Sequence, residues 1–330
     1  MKKNTWLIIV LLLASTLSAC RVATPAAEAI SEANADALQV SLSQSVGSGT
    51  SSITWGANGA ALWLQDLSTV LFLDGASGQE SGRFAPGADA VIYDTAADAQ
   101  MIAYALGNDE IRLADLKTEK NETVISTGFP YSDAFFSPDG KTLAVPSMDE
   151  IAVVFYDTAS GQQSGSVSGF STAAPVYSAQ FSPDGKTLLW ISRGTVQPMQ
   201  IASQEMGPVL SHEDFVNDVL ASPDGKVIAT SAAGTLGAEF QPLLTLWNAN
   251  NGSILAQMAS PAYYSAISFS PDSKLIAAGS EDGIIIFTSP YGEEVGRYAS
   301  TEAIADLAFS PDGTRLAAMT ASGLLNVYAP

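Results

Sequence analysis

Five aspartates in this 330-residue chain occupy one repeated setting. Residues 136–140 read Phe-Ser-Pro-Asp-Gly, and 181–185 repeat them. Ala-Ser-Pro-Asp-Gly follows at 221–225, Phe-Ser-Pro-Asp-Ser at 269–273 and Phe-Ser-Pro-Asp-Gly at 309–313. Two chemistries use such residues: a glycine-bearing loop can cradle phosphate, and a bank of aspartates can hold metal ions. A turn uses the same residues with no chemistry. Pro at i+1 presets φ, Asp suits i+2 of a type I turn, and Gly takes the left-handed position of a three-residue hairpin connection. That reading accounts for every residue of the motif. It predicts a penalty of about 1 kcal/mol at Ser273, which stands where the other units have Gly, so that Ser273→Gly stabilises the protein.

The remaining candidates for catalysis are few. Ser211-His212-Glu213 holds the sole histidine, but adjacency in sequence does not supply a nucleophile, a base and an orienting carboxylate in line. His212 is therefore expected on the surface. Zinc sites want several His or Cys, which the chain lacks. The acidic stretches at 107–110, 147–150 and 280–283 lack the dense Asp-x-Asp-x-Asp spacing of a calcium loop. No helix follows a Gly-rich strand end to bear a nucleotide.

The first twenty residues specify an address. Lys2 and Lys3 precede an apolar run from Trp6 to Leu13, and Leu17-Ser18-Ala19-Cys20 follows. This is the form of a secretory signal, too short to remain as a spanning helix. Leu-Ser-Ala-Cys resembles the lipobox of bacterial lipoproteins, which implies cleavage after residue 19 and a lipid on Cys20. The next residue is Arg21, not the Asp of inner-membrane retention in that family, so the outer membrane is expected where two membranes exist. Cys20 is the only cysteine, which excludes a disulfide framework. Residues 20–36 are expected to be the lipidated Cys and a flexible, Ala-rich tether. The net charge of −20 argues against nucleic acid and against lying on anionic lipid, so the anchor must supply membrane attachment.

The turn motif is one marker of a longer repeat. Its aromatic position falls at Trp55, Tyr93, Phe136, Phe181, Ala221, Phe269 and Phe309, some 38 to 48 residues apart. A second marker, an apolar strand ending in a turn residue, falls at Asp74, Asp115, Asp157, Gln200, Asn248, Thr288 and Ala329. Both count seven, and each unit divides into four short strands. Four strands in forty-odd residues is the period of a propeller blade. Residues 37–330 resemble the WD-repeat family in "FSPDGKTLA" and "VVFYDTASG", which implies an all-β, seven-bladed propeller of four-stranded antiparallel blades. The final unit ends at its third strand, and the strand at 38–44 is expected to complete it from the N-terminal side. The chain departs from the family in lacking Gly-His, and in carrying Trp-Asp only as Trp247-Asn248. The Asp–His–Ser/Thr–Trp tetrad is therefore not expected, and apolar packing should hold the blades.

The resemblance also sorts loops onto two faces. Lys141, Lys186, Lys226, Lys274 and Arg315, with Lys117 and Lys120, fall on the bottom, beside the Ser-Pro-Asp-Gly turns. The top loops hold Asp66, Asp109, Glu110, Asp149, Glu150, Glu213, Asp214, Glu281, Asp282, Glu302 and Asp306 against one clear base, Arg193. Phe129, Tyr131, Phe170, Tyr177, Phe215, Tyr263 and Tyr264 gather there, and the longest connection, 231–244, should project from it. A partner surface is expected at Asp109, Glu110, Tyr131, Asp149, Glu150, Phe215, Tyr263, Tyr264, Glu281 and Asp282. The reading is a monomeric, non-enzymatic lipoprotein of the cell envelope that binds a protein partner, with no cofactor, metal or nucleic acid. The alternatives are a calcium-dependent hydrolase or carbohydrate binder at the channel mouth, and an assembly factor for outer-membrane proteins.

Overall fold

Short apolar strands bounded by turns cannot each bury their faces alone, and here they stack into seven sheets. The computed structural model describes residues 27–330 except 48, 51, 57–58, 88, 99, 107–109, 117–122, 148, 150–151 and 169–177. Among the described residues every sheet is antiparallel, and the strands of each blade are called a to d from first to last in pairing order. Blade 1 begins with Ser52–Trp55 and blade 6 ends with Glu294–Ala299. Blade 7 comprises Ile304–Phe309, Leu316–Thr320 and Leu324–Ala329, with Gln39–Ser45 as its outer strand. That outer strand runs antiparallel to 324–329, from Gln39 opposite Ala329 to Ser45 opposite Leu324. The ring is closed as expected, with two edges covered at once.

The repeated motif is the a–b turn. In blade 3 the Gly140 N–H donates to the Ser137 carbonyl at 2.8 Å, and Ser137 Oγ donates to Asp139 Oδ1 at 2.7 Å. Gly140, Gly185, Gly225 and Gly313 all have φ near +70°, and Ser273 joins them at +62°. The aspartates are turn residues whose carboxyls lie below the usual range. Ser137 chiefly lowers Asp139, while at Asp184 hydrogen bonds from Ser182 and Lys186 outweigh the upward push of burial. The preceding aromatics pack between blades. Phe181 stacks edge-on with Phe135 at 5.9 Å, and Phe309 with Phe287 at 6.3 Å. Each such burial stabilises by roughly 1.5–3 kcal/mol.

Three details differ from expectation. In blade 2 the turn runs from Ala97 to Gln100, whose φ is +55°, so Ala96 and not Tyr93 takes the aromatic position. Tyr93 instead stacks on Tyr131 at 5.6 Å. In blade 4 the outer strand is split into Glu205–Met206 and Leu210–Ser211. Pro198 of the c strand Thr195–Gln200 has no N–H to offer there, and the Gln197 amide donates to Gly207 O at 3.2 Å in its stead.

The expected tether is docked over its second half. Ile30, Ala35 and Leu38 are buried against blades 6 and 7, the Ile30 N–H donates to Gly313 O at 2.8 Å, and the Leu38 N–H donates to Tyr298 Oη. Enough apolar surface lies in those three side chains to hold a sequence that looks like linker. Cys20 and residues 21–26 lie outside the described residues.

Candidate functional site

The a strands line the axis, and three of them carry an aspartate three residues before the aromatic position: Asp133, Asp218 and Asp306. Asp94 plays the same part in blade 2. Each carboxylate accepts the N–H of its own following residue and reaches across to the next blade. Asp94 Oδ2 accepts the Phe136 N–H at 2.7 Å, and Asp306 Oδ2 accepts the Ile53 N–H at 2.6 Å. Asp133 Oδ2 accepts from Ser178 Oγ at 3.1 Å. Dense protein surrounds these groups, and burial pushes Asp94, Asp218 and Asp306 up to about 7. A cavity of about 490 Å³ on the axis is bordered by Asp94, Asp133 and Asp218 together with Tyr93, Gln180 and Asn217.

These four aspartates are inter-blade fasteners facing a narrow space. Asp306 was expected among the top-loop acids and is here in the channel wall. For Asp133, Asp218 and Asp306 the signal was legible as Asp three residues before the aromatic position, whereas Asp94, two residues before Ala96, breaks that offset.

The expected partner surface divides. Glu281 and Asp282 are exposed at the b–c turn of blade 6, and the Glu281 N–H donates to Tyr263 O at 2.9 Å, which places Tyr263 beside them. Asp149 is exposed at the corresponding turn of blade 3. Glu110 pairs with Arg112 at 3.4 Å, so Arg193 is not the lone base. Phe215 is 48% exposed with the Arg193 guanidinium 5.2 Å above its ring. Tyr131 is half-buried against Tyr93 at the start of blade 3. Tyr264 is a correction. It is 3% exposed in the core between blades 5 and 6, because the bulge at Ser265 turns it to the same face as Ile267 and Phe269. Asp109 and Glu150 lie outside the described residues.

Several other top acids organise their own loops. Asp66 Oδ1 accepts the N–H groups of Ser68 and Thr69 at 2.7 and 2.6 Å, and Glu302 accepts the Thr320 hydroxyl at 2.9 Å. The stretch 231–244 is a hairpin paired to its tip, with Glu213 accepting the Thr235 N–H and hydroxyl at 3.0 and 2.9 Å. Among the described residues no three His, Cys, Asp or Glu side chains converge where a metal ion could be held.

His212 is the second correction. It is half-buried, and its Nε2 lies 2.9 Å from Thr230 Oγ1, which also accepts the Trp247 Nε1–H at 2.8 Å. The His212 and Trp247 rings meet edge-on at 5.2 Å. Burial lowers the imidazole to about 4, so it is neutral at physiological pH. The Trp indole can only donate, so Thr230 Oγ1 accepts from it, and the direction of the bond between Thr230 and Nε2 follows the imidazole tautomer. Three members of the His–Thr–Trp–Asp tetrad are thus assembled in blade 5, in a chain whose lone histidine is far from its one Trp-Asn in sequence. Glu213 faces Thr235, and no catalytic triad forms.

Residues 259–288 match the family model "WD domain, G-beta repeat". That match is blade 6. No curated protein matches the chain. Among solved structures, the β-propeller domain of Cps50 (Swd1) from Myceliophteria thermophila is 12% identical over 89% of this chain and 99% of that one, with a TM-score of 0.69. Kuenenia stuttgartiensis hydrazine synthase is 19% identical over 87% of this chain and 97% of that one, also at 0.69. Both likenesses show the seven-bladed fold. Among the described residues no helix is long and apolar enough to cross a membrane.

Proposed function

We propose that the protein is a lipid-anchored, non-enzymatic scaffold on the extracytoplasmic side of the cell envelope, and that it binds a protein partner on the top face of its propeller. Propellers of WD-repeat type commonly serve as interaction scaffolds, and the lipobox at 17–20 supplies the anchor in this reading. One observation carries the choice of face. Glu281 and Asp282 stand exposed at the blade 6 turn beside Tyr263, whereas Lys141, Lys186, Lys226 and Lys274 on the bottom face are each paired with a turn aspartate, as in Lys226–Asp224 at 2.8 Å and Lys186–Asp184 at 3.3 Å. An acidic rim with an aromatic beside it favours a partner with a basic surface.

The anchor is tested by metabolic labelling with a fatty acid. Label on the wild type and none on Cys20→Ala supports it; a wild type that carries no label overturns it.

A further inference from the structure

The cleft between blades 6 and 7 on the bottom side is filled by the chain itself. Ile30 and Ala35 lie in the cluster that contains Phe287 and Phe309, with the Ile30 N–H on the Gly313 carbonyl. The backbone at Ala35 crosses Gly296 so closely that a β-carbon there would lie 2.3 Å from Ala35 O. A glycine is required at that crossing.

The same cleft recurs between blades 3 and 4. By strand register Phe155 corresponds to Phe287, since they face Ala144 and Ala277, and Gly165 corresponds to Gly296, opposite those two phenylalanines. Phe181 stands for Phe309 and Gly185 for Gly313. The match extends to detail. A β-carbon on Gly185 would lie 3.5 Å from Pro138 Cδ, and one on Gly313 would lie 3.5 Å from Pro271 Cδ. No segment of the described chain crosses this second cleft. A β-carbon on Gly165 would meet nothing nearer than Phe155 Cδ2 at 3.9 Å, and a cavity of about 640 Å³ opens over Phe155, Phe181 and Ile201.

We propose that the cleft between blades 3 and 4 is a docking site for a partner peptide of the kind the chain already carries at 30–35. The peptide presents an aliphatic residue whose backbone N–H meets the Gly185 carbonyl, and a small residue five positions later crosses Gly165. The chain's own segment cannot serve, because Leu38 fixes it to blade 6 and Gln39–Ser45 to blade 7. Thr142 and Ser164 stand where the filled cleft has Leu275 and Val295, so the site takes a segment with more polar character on that side. This surface lies on the opposite face from the acidic rim and is independent of it.

The test uses a labelled synthetic peptide of residues 27–38, titrated into the full folded chain and read by fluorescence anisotropy. A photo-reactive group at the position of Ile30 maps where it binds. The expected result is saturable binding, cross-links to blades 3 and 4, and at least a tenfold loss in Gly165→Leu with an unchanged melting temperature. Ser164→Arg, at an exposed position on the rim, provides a second block that leaves the core untouched. Absence of saturable binding overturns the proposal, as do cross-links confined to blades 6 and 7 or binding indifferent to both variants.

Discussion

Asp306 Oδ2 and the backbone nitrogen of Ile53 are 2.6 Å apart, and their hydrogen bond joins the last blade to the first. Two further contacts cross the same seam: Trp55 Nε1 donates to Ala308 O at 2.9 Å, and the Arg315 guanidinium lies 4.6 Å over the Trp55 ring. Asp306→Ala leaves two backbone N–H groups, those of Ile53 and Leu307, without their acceptor. The expected cost is about 2 kcal/mol in urea unfolding. An unchanged midpoint would remove Asp306 from the closure.

The channel aspartates set a pH dependence. Asp94, Asp218 and Asp306 hold protons in the fold up to about 7, whereas in the unfolded chain they lose them near the ordinary 3.8. Between those values the native state binds more protons than the unfolded state, so stability falls as pH rises from about 4 to 7 and levels above. Below about 4 the bottom-turn carboxylates, held low by their serines, are lost as well. The unfolding midpoint is therefore expected to be higher at pH 5 than at pH 8. In Asp94→Asn/Asp218→Asn that difference should shrink. Equal or greater stability at pH 8 would contradict the assignment.

The His212–Thr230–Trp247 relay is expected to act as a unit. Each of His212→Ala and Thr230→Val should destabilise by about 1–2 kcal/mol, and together by less than their sum, because either one already breaks the chain of bonds. Strict additivity would show that the two side chains act separately.

At Ser273 two effects oppose. The left-handed φ of +62° disfavours a side chain by about 1 kcal/mol, which alone makes Ser273→Gly stabilising. The Ser273 hydroxyl, however, accepts the Asp224 N–H from blade 5 at 3.0 Å. Losing that exposed bond offsets part of the gain, so Ser273→Gly should sit within about 0.5 kcal/mol of the wild type. Ser273→Ala keeps the strained backbone and forfeits the bond, so it should be the less stable variant. The reverse order in thermal melts would contradict the turn geometry.

Local chemistry made most of the fold readable. Ser-Pro-Asp-Gly dictates its own turn, its five copies set the period, and the two markers that each recur seven times gave the blade count and the need for residues 38–44 to close the last. What stayed hidden depended on distance in space. Tyr93 seemed to be the aromatic marker of blade 2 because Gln100, a non-glycine in the left-handed region, disguised the turn. His212 seemed exposed because its partners Thr230 and Trp247 are brought to it only by sheet pairing. Ile30 and Ala35 seemed part of a linker because the cleft that buries them is built from blades 6 and 7. Of the residues expected on the partner surface, Glu281 and Asp282 are exposed, whereas Tyr264 is core.

The central claim is that the acidic top face carries the partner. Its most direct measurement is quantitative cross-linking and recovery from solubilised envelope, comparing wild type, Glu281→Lys/Asp282→Lys and, as the opposite-face control, Lys186→Glu. The account predicts a partner recovered by the wild type and Lys186→Glu and depleted at least tenfold with the double variant. A double variant that retains every partner of the wild type would contradict it.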